Sequence, residues 1–199
     1  VNHPPNSELA QLYARRLHTG VLPGEGWLLY ALVRVLRPTA VVEIGTAIGS
    51  SALWLAQALA DNGHGRLHSI DVNACAPARA RVERAGLAAR VTFHTMSSHG
   101  AQAAALARRV APVGLLFVDG AHDCASVVQD IERWAAAVPP GGIVAFHDAT
   151  RETTAGVEVR QALAQTPARW HTGSIVFPHG RGYDAGGPHD NGLWVWQRP

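Results

Sequence analysis

The sequence predicts a doubly wound α/β fold, a mostly parallel sheet with helices on both faces. Three observations lead there. Strand-like apolar runs alternate with helix-spaced segments, and no linker interrupts the series. Val41, Val42 and Ile44 form an apolar run of the kind found in central parallel strands. Polar residues recur at the ends of successive strands, where ligands bind in such sheets. At 199 residues, 47% apolar and only 16% charged, the chain reads as one domain, 1–199, able to bury a full core.

Taken in order, Ser7 to Leu17 has the spacing of a short helix, and Glu25 to Leu36 of a second, stopped by Pro38. Residues 1–37 are thus N-terminal helices. The first strand is Val41–Gly45, followed by a helix through Ala52, Leu55 and Leu59. The second strand is Arg66–Asp71, with a helix from Pro77 to near Gly86. The third is Val91–Thr95, with an alanine-rich helix over Ala101–Arg109. The fourth is Gly114–Asp119, with a helix over Cys124–Ala137. Pro139–Gly142 turns the chain into a fifth strand, Ile143–His147. A helix near Val157–Ala164 precedes a final pair, Trp170–Phe177 and Leu193–Gln197. The tryptophans 27, 54, 134 and 170 read as packing residues.

Composition removes several functions. A net charge of +2 without a basic run argues against a nucleic-acid partner. All seventeen cationic residues are arginine, so no lysine is available for a Schiff base or as a general base. Cys75 and Cys124 have neither zinc nor redox spacing and read as small packing residues in a reducing compartment. With no signal pattern and no membrane-spanning run, the expected location is cytoplasmic, with no membrane partner.

The strand ends carry Glu43, Asp71, Ser97-Ser98, Asp119 and His147-Asp148. Any one of them could simply cap a helix, Asp119 and Asp148 included. Five in register describe a crevice. Between the first strand and its helix stands Glu43-x-Gly45-x-x-x-Gly49-x-Ser51, a turn at which glycine lets something approach the backbone. Asp71, twenty-two residues beyond Gly49, is placed to bond ribose hydroxyls. A nicotinamide dinucleotide shares that need, but Glu43 would repel its pyrophosphate and attract an ammonium group instead. S-adenosylmethionine has ribose, ammonium and carboxylate without phosphate, and fits better.

On these motifs the stretch from Val21 to Asp148 resembles the class I S-adenosylmethionine-dependent methyltransferases. Within them it is most similar to the catechol and caffeoyl-coenzyme A type and to bacterial natural-product O-methyltransferases. The resemblance implies a seven-stranded Rossmann-like sheet whose last strand is antiparallel. In "EIGTAIGSS" it puts Gly45 and Gly49 under the methionine part, Glu43 near the ammonium and Ser51 on the carboxylate. In "SIDVN" it puts Asp71 on the ribose and Val72 against adenine, and in "TMSSHG" it puts Ser98 and His99 at the adenine edge. "FVDGAHD" and "AFHD" resemble the segments that carry metal and acceptor, which makes Asp119, His147 and Asp148 the expected ligands of a divalent metal. His147 departs from the acid found there in metal-dependent relatives, and imidazole favours Mn or another transition metal over Mg.

His122 stands three residues after Asp119, where the catechol type has its lysine, and is the expected general base, with Asp119 beside it as a catalytic residue. The plain alternatives are a structural His147 and a surface His122. Pro178–Gly192 is loop by composition and too long for an ordinary hairpin, so the 178–192 segment reads as an acceptor-side lid carrying Arg181, Tyr183 and His189. The expected activity is O-methylation of a small-molecule hydroxyl on a secondary metabolite, sugar or phenol, metal-assisted or using His122 alone. A non-catalytic cofactor-binding protein is the rival outside enzymes, and the sequence leaves a homodimer open.

Overall fold

A computed structural model of the chain describes residues 6–14, 20–149, 153–167, 174–177 and 192–199. The helices are α1 (Ser7–Ala14), α2 (Pro23–Leu36), α3 (Ser50–Asn62), α4 (Ala76–Arg84), α5 (Gly100–Val110), α6 (Cys124–Trp134) and α7 (Thr154–Gln165). The strands are β1 (Ala40–Ile44), β2 (Arg66–Asp71), β3 (Val91–Thr95), β4 (Leu115–Val118), β5 (Ile143–Phe146), β6 (Ser174–Phe177) and β7 (Leu193–Gln197). They form one seven-stranded sheet in the order β3-β2-β1-β4-β5-β7-β6. Strands β1 to β5 pair in parallel, and β7 runs antiparallel to both β5 and β6. The expected sheet, with its last strand reversed, is the one found.

Strand alternation divides the apolar side chains between two cores. Val41, Leu67, Phe117 and Ala145 face the layer built on α2 and α3. Val42, Ile70, Leu116, Val144 and Phe146 face α5, α6 and α7. Trp54 and Trp134 are fully buried, one in each core. Cys75 and Cys124 are free thiols. No helix among the described residues is long and apolar enough to cross a membrane.

Element ends differ from the sequence reading by one to three residues, and at two of them the local reason is plain. Helix α2 starts at Pro23, not Glu25: proline fills the first turn, and Glu25 reaches back to accept the Leu22 backbone N–H at 2.7 Å. Helix α6 ends at Trp134, and Ala135–Ala137 tightens into a 3-10 turn. The expected extension of the first helix to Leu17, the start of the sixth strand at Trp170 and the lid residues Arg181, Tyr183 and His189 lie outside the described residues.

Candidate functional site

The chain winds from β1 outward to β3, then returns to place β4 on the other side of β1. At that reversal the connections leave β1 and β4 in opposite directions and open a crevice at their carboxyl ends. A cavity of about 720 Å³ occupies it, within the usual size range of small-molecule sites. Its wall includes Asp71, Val72, Ser98 and His99 on the side of β2 and β3, and Asp119, His122, His147 and Asp148 on the side of β4 and β5, with Gly20 and Gly45 also lining it.

The β1–α3 turn has a reason of its own for glycine. Gly45 has φ +93°, and a Cβ there would sit 2.0 Å from the Asp119 carbonyl oxygen. Gly49 has φ +83°, and a Cβ would meet the Ala78 methyl at 2.7 Å. What approaches these two positions is the protein's own backbone and helix α4. The sequence reading expected a ligand in that role; Gly45 also lines the cavity, whereas Gly49 does not.

Asp71 ends β2 and ties this turn down. Its Oδ2 accepts the backbone N–H groups of Thr46 (2.9 Å) and Ala47 (3.1 Å), and its Oδ1 accepts that of Asn73 (2.8 Å) and the Asn73 side-chain amide (3.2 Å). Burial works against the charge, but these backbone donors outweigh it and hold the carboxyl below its ordinary pKa.

Glu43, Ser51 and Gly49 are the expected cofactor residues that the structure does not bring to the cavity wall. Alternation along β1 turns Glu43 away from the crevice, towards α3, where it is fully buried. The Ser69 hydroxyl donates to its Oε2, Thr46 Oγ1 bonds Ser69 at 2.6 Å, and Ser51 lies against the same carboxyl. Burial pushes the Glu43 pKa up to about 7. Ser51 is thus engaged with Glu43 and only 3% exposed.

At the adenine-edge segment, helix α6 supplies the anchors. The Trp134 indole N–H donates to the Ser98 carbonyl at 3.0 Å, and His99 Nε2 lies 3.0 Å from the buried Asp130 Oδ1. Sequence reasoning missed Asp130, which reads as an ordinary polar position on an amphipathic helix.

On the side of β4 and β5, Asp119, His122, His147 and Asp148 converge. The His122 Nε2 stands 2.7 Å from Asp148 Oδ2 and 3.8 Å from Asp119 Oδ1. His147 points its Nδ1 at Asp119 Oδ1 (3.0 Å) and its Nε2 at Glu25 Oε2 (3.2 Å). The Asp119 and Asp148 carboxylates beside it push the His122 pKa up to about 9. Burial disfavours charge on His147, but Asp119, Asp148 and Glu25 reverse that and raise its pKa well above the ordinary value. Asp148 is held well below the usual carboxylate range, burial notwithstanding, by its bonds to both histidines. Asp148 also has φ +56°, a strained backbone for a non-glycine residue and one that clusters at functional sites. Neither aspartate caps a helix: Asp123 caps α6 through the Ser126 N–H at 2.9 Å, and Thr153 precedes α7.

The donor set suits a divalent metal, with one change from the expectation. Ligand atoms of Asp119, His122 and Asp148 all lie within 4.8 Å of one another. His147, expected as the third ligand, has both ring nitrogens facing carboxylates and is 4% exposed. Alternation at the end of β5 turns His147 towards α2 and Glu25, while His122 lies in the turn between β4 and α6.

A family model described as a methyltransferase domain matches residues 42–149, more than half of the chain. A catechol O-methyltransferase of Niastella koreensis is 28% identical over 99 residues, covering 50% of this chain and 45% of that protein. The chain spans from 19% to 60% of the length of the curated relatives it matches. Among solved structures, the Bacillus cereus O-methyltransferase in complex with SAH superposes with a TM-score of 0.77 at 20% identity, covering 100% of this chain and 94% of that one. The O-methyltransferase TomG from Streptomyces achromogenes in complex with SAM gives 0.73 at 21% identity, covering 98% and 92%. These two likenesses bear out the fold. The match of the domain model over more than half of the chain places the family: the chain belongs to the methyltransferase-domain family.

Proposed function

We propose that this protein transfers the methyl group of S-adenosylmethionine to a hydroxyl of a small molecule. The observation that carries the reading is the two-sided crevice. Asp71 stands on one side, and Asp119, His122 and Asp148 stand together on the other. When bound, S-adenosylmethionine supplies a methyl group on a sulfonium that is open to in-line attack.

Asp71 takes the ribose hydroxyls by exchanging the Asn73 amide for them. Val72, 70% exposed on the cavity wall, and the Ser98–His99 edge hold adenine. The Gly45 backbone underlies the methionine part. The acceptor then lies towards Asp119, where alignment of its oxygen with the methyl carbon supplies most of the rate gain. Two carboxylates flanking His122 draw one positive charge between them, either the proton on Nε2 or a divalent ion. Asp119, His122 and Asp148 would hold that ion, Mn or another transition metal in preference to Mg, and its charge would lower the acceptor hydroxyl's pKa. Without it, the neutral form of His122, its Nε2 2.7 Å from Asp148 Oδ2, takes the hydroxyl proton itself.

Calorimetric titration of S-adenosylmethionine and its demethylated product tests the first half. Transfer of labelled methyl from S-adenosylmethionine to a panel of catechols, phenols and sugars, with chelator, Mg, Mn or Zn, tests the second. Micromolar cofactor binding and transfer that a chelator abolishes and Mn restores are expected. Absence of cofactor binding overturns the reading, and full transfer with chelator leaves His122 as the base.

A further inference from the structure

Glu25 has been given no role in the chemistry so far, yet it is built into the site. It stands in the first turn of α2, 122 residues from His147, and is 6% exposed. Its Oε2 serves two donors, the Leu22 backbone N–H at 2.7 Å and His147 Nε2 at 3.2 Å. Its Oε1 is buried with no partner among the described residues.

Helix capping does not account for this. A cap contributes modestly, and a glutamate in water supplies it as well. Burying a carboxylate with one oxygen unpartnered costs more than that, so the position is not optimised for stability. What the burial achieves is contact with a ring. The His147 imidazole is flanked edge-on by Phe117, with ring centres 6.1 Å apart, and its far nitrogen is held at 3.0 Å from Asp119. Glu25 grips the remaining nitrogen, so the ring cannot turn about its own bond to Cβ.

We propose that Glu25 is a positioning residue that acts through His147 to fix the Asp119 carboxylate where Asp119 and Asp148 face one another across His122. It links the site to α2 and to the segment leading in from Gly20, which lines the same cavity. The consequence for catalysis rests on the function proposed above; the relay itself does not.

The variant Glu25→Gln keeps the size of the side chain and one acceptor oxygen, but removes the negative charge that Oε2 presents to both the Leu22 N–H and His147 Nε2. Leu22→Pro removes the capped N–H and leaves the grip on His147. Melting temperature, affinity for S-adenosylhomocysteine, Mn²⁺ affinity by electron paramagnetic resonance and ring-¹⁵N signals of labelled histidines are measured on both.

Glu25→Gln should leave the melting temperature and S-adenosylhomocysteine affinity near parental. It should weaken Mn²⁺ binding by about 10–100-fold, the usual effect of losing a group that orients a metal ligand. It should also shift the His122 ring signals, although Glu25 does not touch His122. Leu22→Pro should lower the melting temperature and leave the His122 signals in place. If the parent binds no Mn²⁺, the metal reading fails and the His122 signals alone decide the relay. Unchanged His122 signals in Glu25→Gln, or signals moved equally by Leu22→Pro, overturn the proposal. If Glu25→Gln does not fold, the parent decides: an exchange-protected proton on His147 Nε2 supports the relay, and its absence overturns it.

Discussion

Asp71 carries four hydrogen bonds before any ligand arrives, which changes how its role is tested. Truncation to alanine would release the Thr46–Ala47 turn along with the ribose. Asp71→Asn keeps one acceptor oxygen and removes the charge. Bonds to a charged group are worth about 1.5–3 kcal/mol each, so affinity for S-adenosylhomocysteine in a calorimeter should fall at least about tenfold. Glu43 gives a prediction of the opposite kind. Its folded pKa of about 7 lies above the ordinary 4.5, so the folded state binds more protons than the unfolded between those values. Stability therefore declines as pH rises from about 4.5 to 7, by about 3 kcal/mol in all for a shift of that size. Glu43→Gln should match the parent near pH 4.5 and melt several degrees higher at pH 8, with equal curves at both pH values counting against the assignment. The sequence reading expected His122 as the general base. The structure surrounds it with two aspartates that raise the pKa to about 9. In metal-free protein the rate should climb with pH towards 9, and an ascending limb near 6.5 would contradict the geometry. His122→Ala should lower kcat by about 10²–10⁴-fold, the range of a general base.

Between elements, α2 fits tightly on α3. Gly26 has no room for a side chain: a Cβ there would lie 2.1 Å from the Trp54 indole nitrogen. Trp27 and Trp54 then meet with ring centres 5.0 Å apart, and Tyr30 closes on Trp27 edge-on. This contact sets the height of α2 over the sheet, and with it the reach of Glu25 to His147. Gly26→Ala should destabilise the fold by about 1–3 kcal/mol through overpacking. Thermal melting should register about 2–4 °C of loss for each kcal/mol in a chain of this size. An unchanged melting temperature would show that the two helices can separate without cost.

For the whole molecule, the crevice lies on the seam where the two halves of the sheet diverge, between β1 and β4. A ligand there touches both halves and binds only the folded chain. At about a hundred times its dissociation constant, such a ligand adds about 2.7 kcal/mol to stability. S-adenosylhomocysteine should therefore raise the melting temperature by about 5–10 °C. NAD at the same concentration should leave it unchanged, and the reverse pattern would assign the crevice to a dinucleotide.

The order of strands and helices was legible because period-two and period-3.6 patterns are local, and each apolar run carries its own signal. The acids and histidines at strand ends were legible for the same reason, since a parallel sheet delivers every carboxyl end to one side. Tertiary structure alone decided how those residues divide the work. Sequence spacing counts positions along a strand, but alternation at the end of β5 decides that His147 faces Glu25 and leaves His122 to Asp119 and Asp148. Glu25 itself reads locally as a helix-start acid, and its tie to a residue 122 positions away leaves no mark in the sequence nearby. Gly45 likewise reads as room for a ligand, until the Asp119 carbonyl is found standing where its side chain would be. Which side chains share a crevice follows from local pattern and topology, whereas which atoms touch follows only from packing, because contact depends on the placement of elements far apart in the chain.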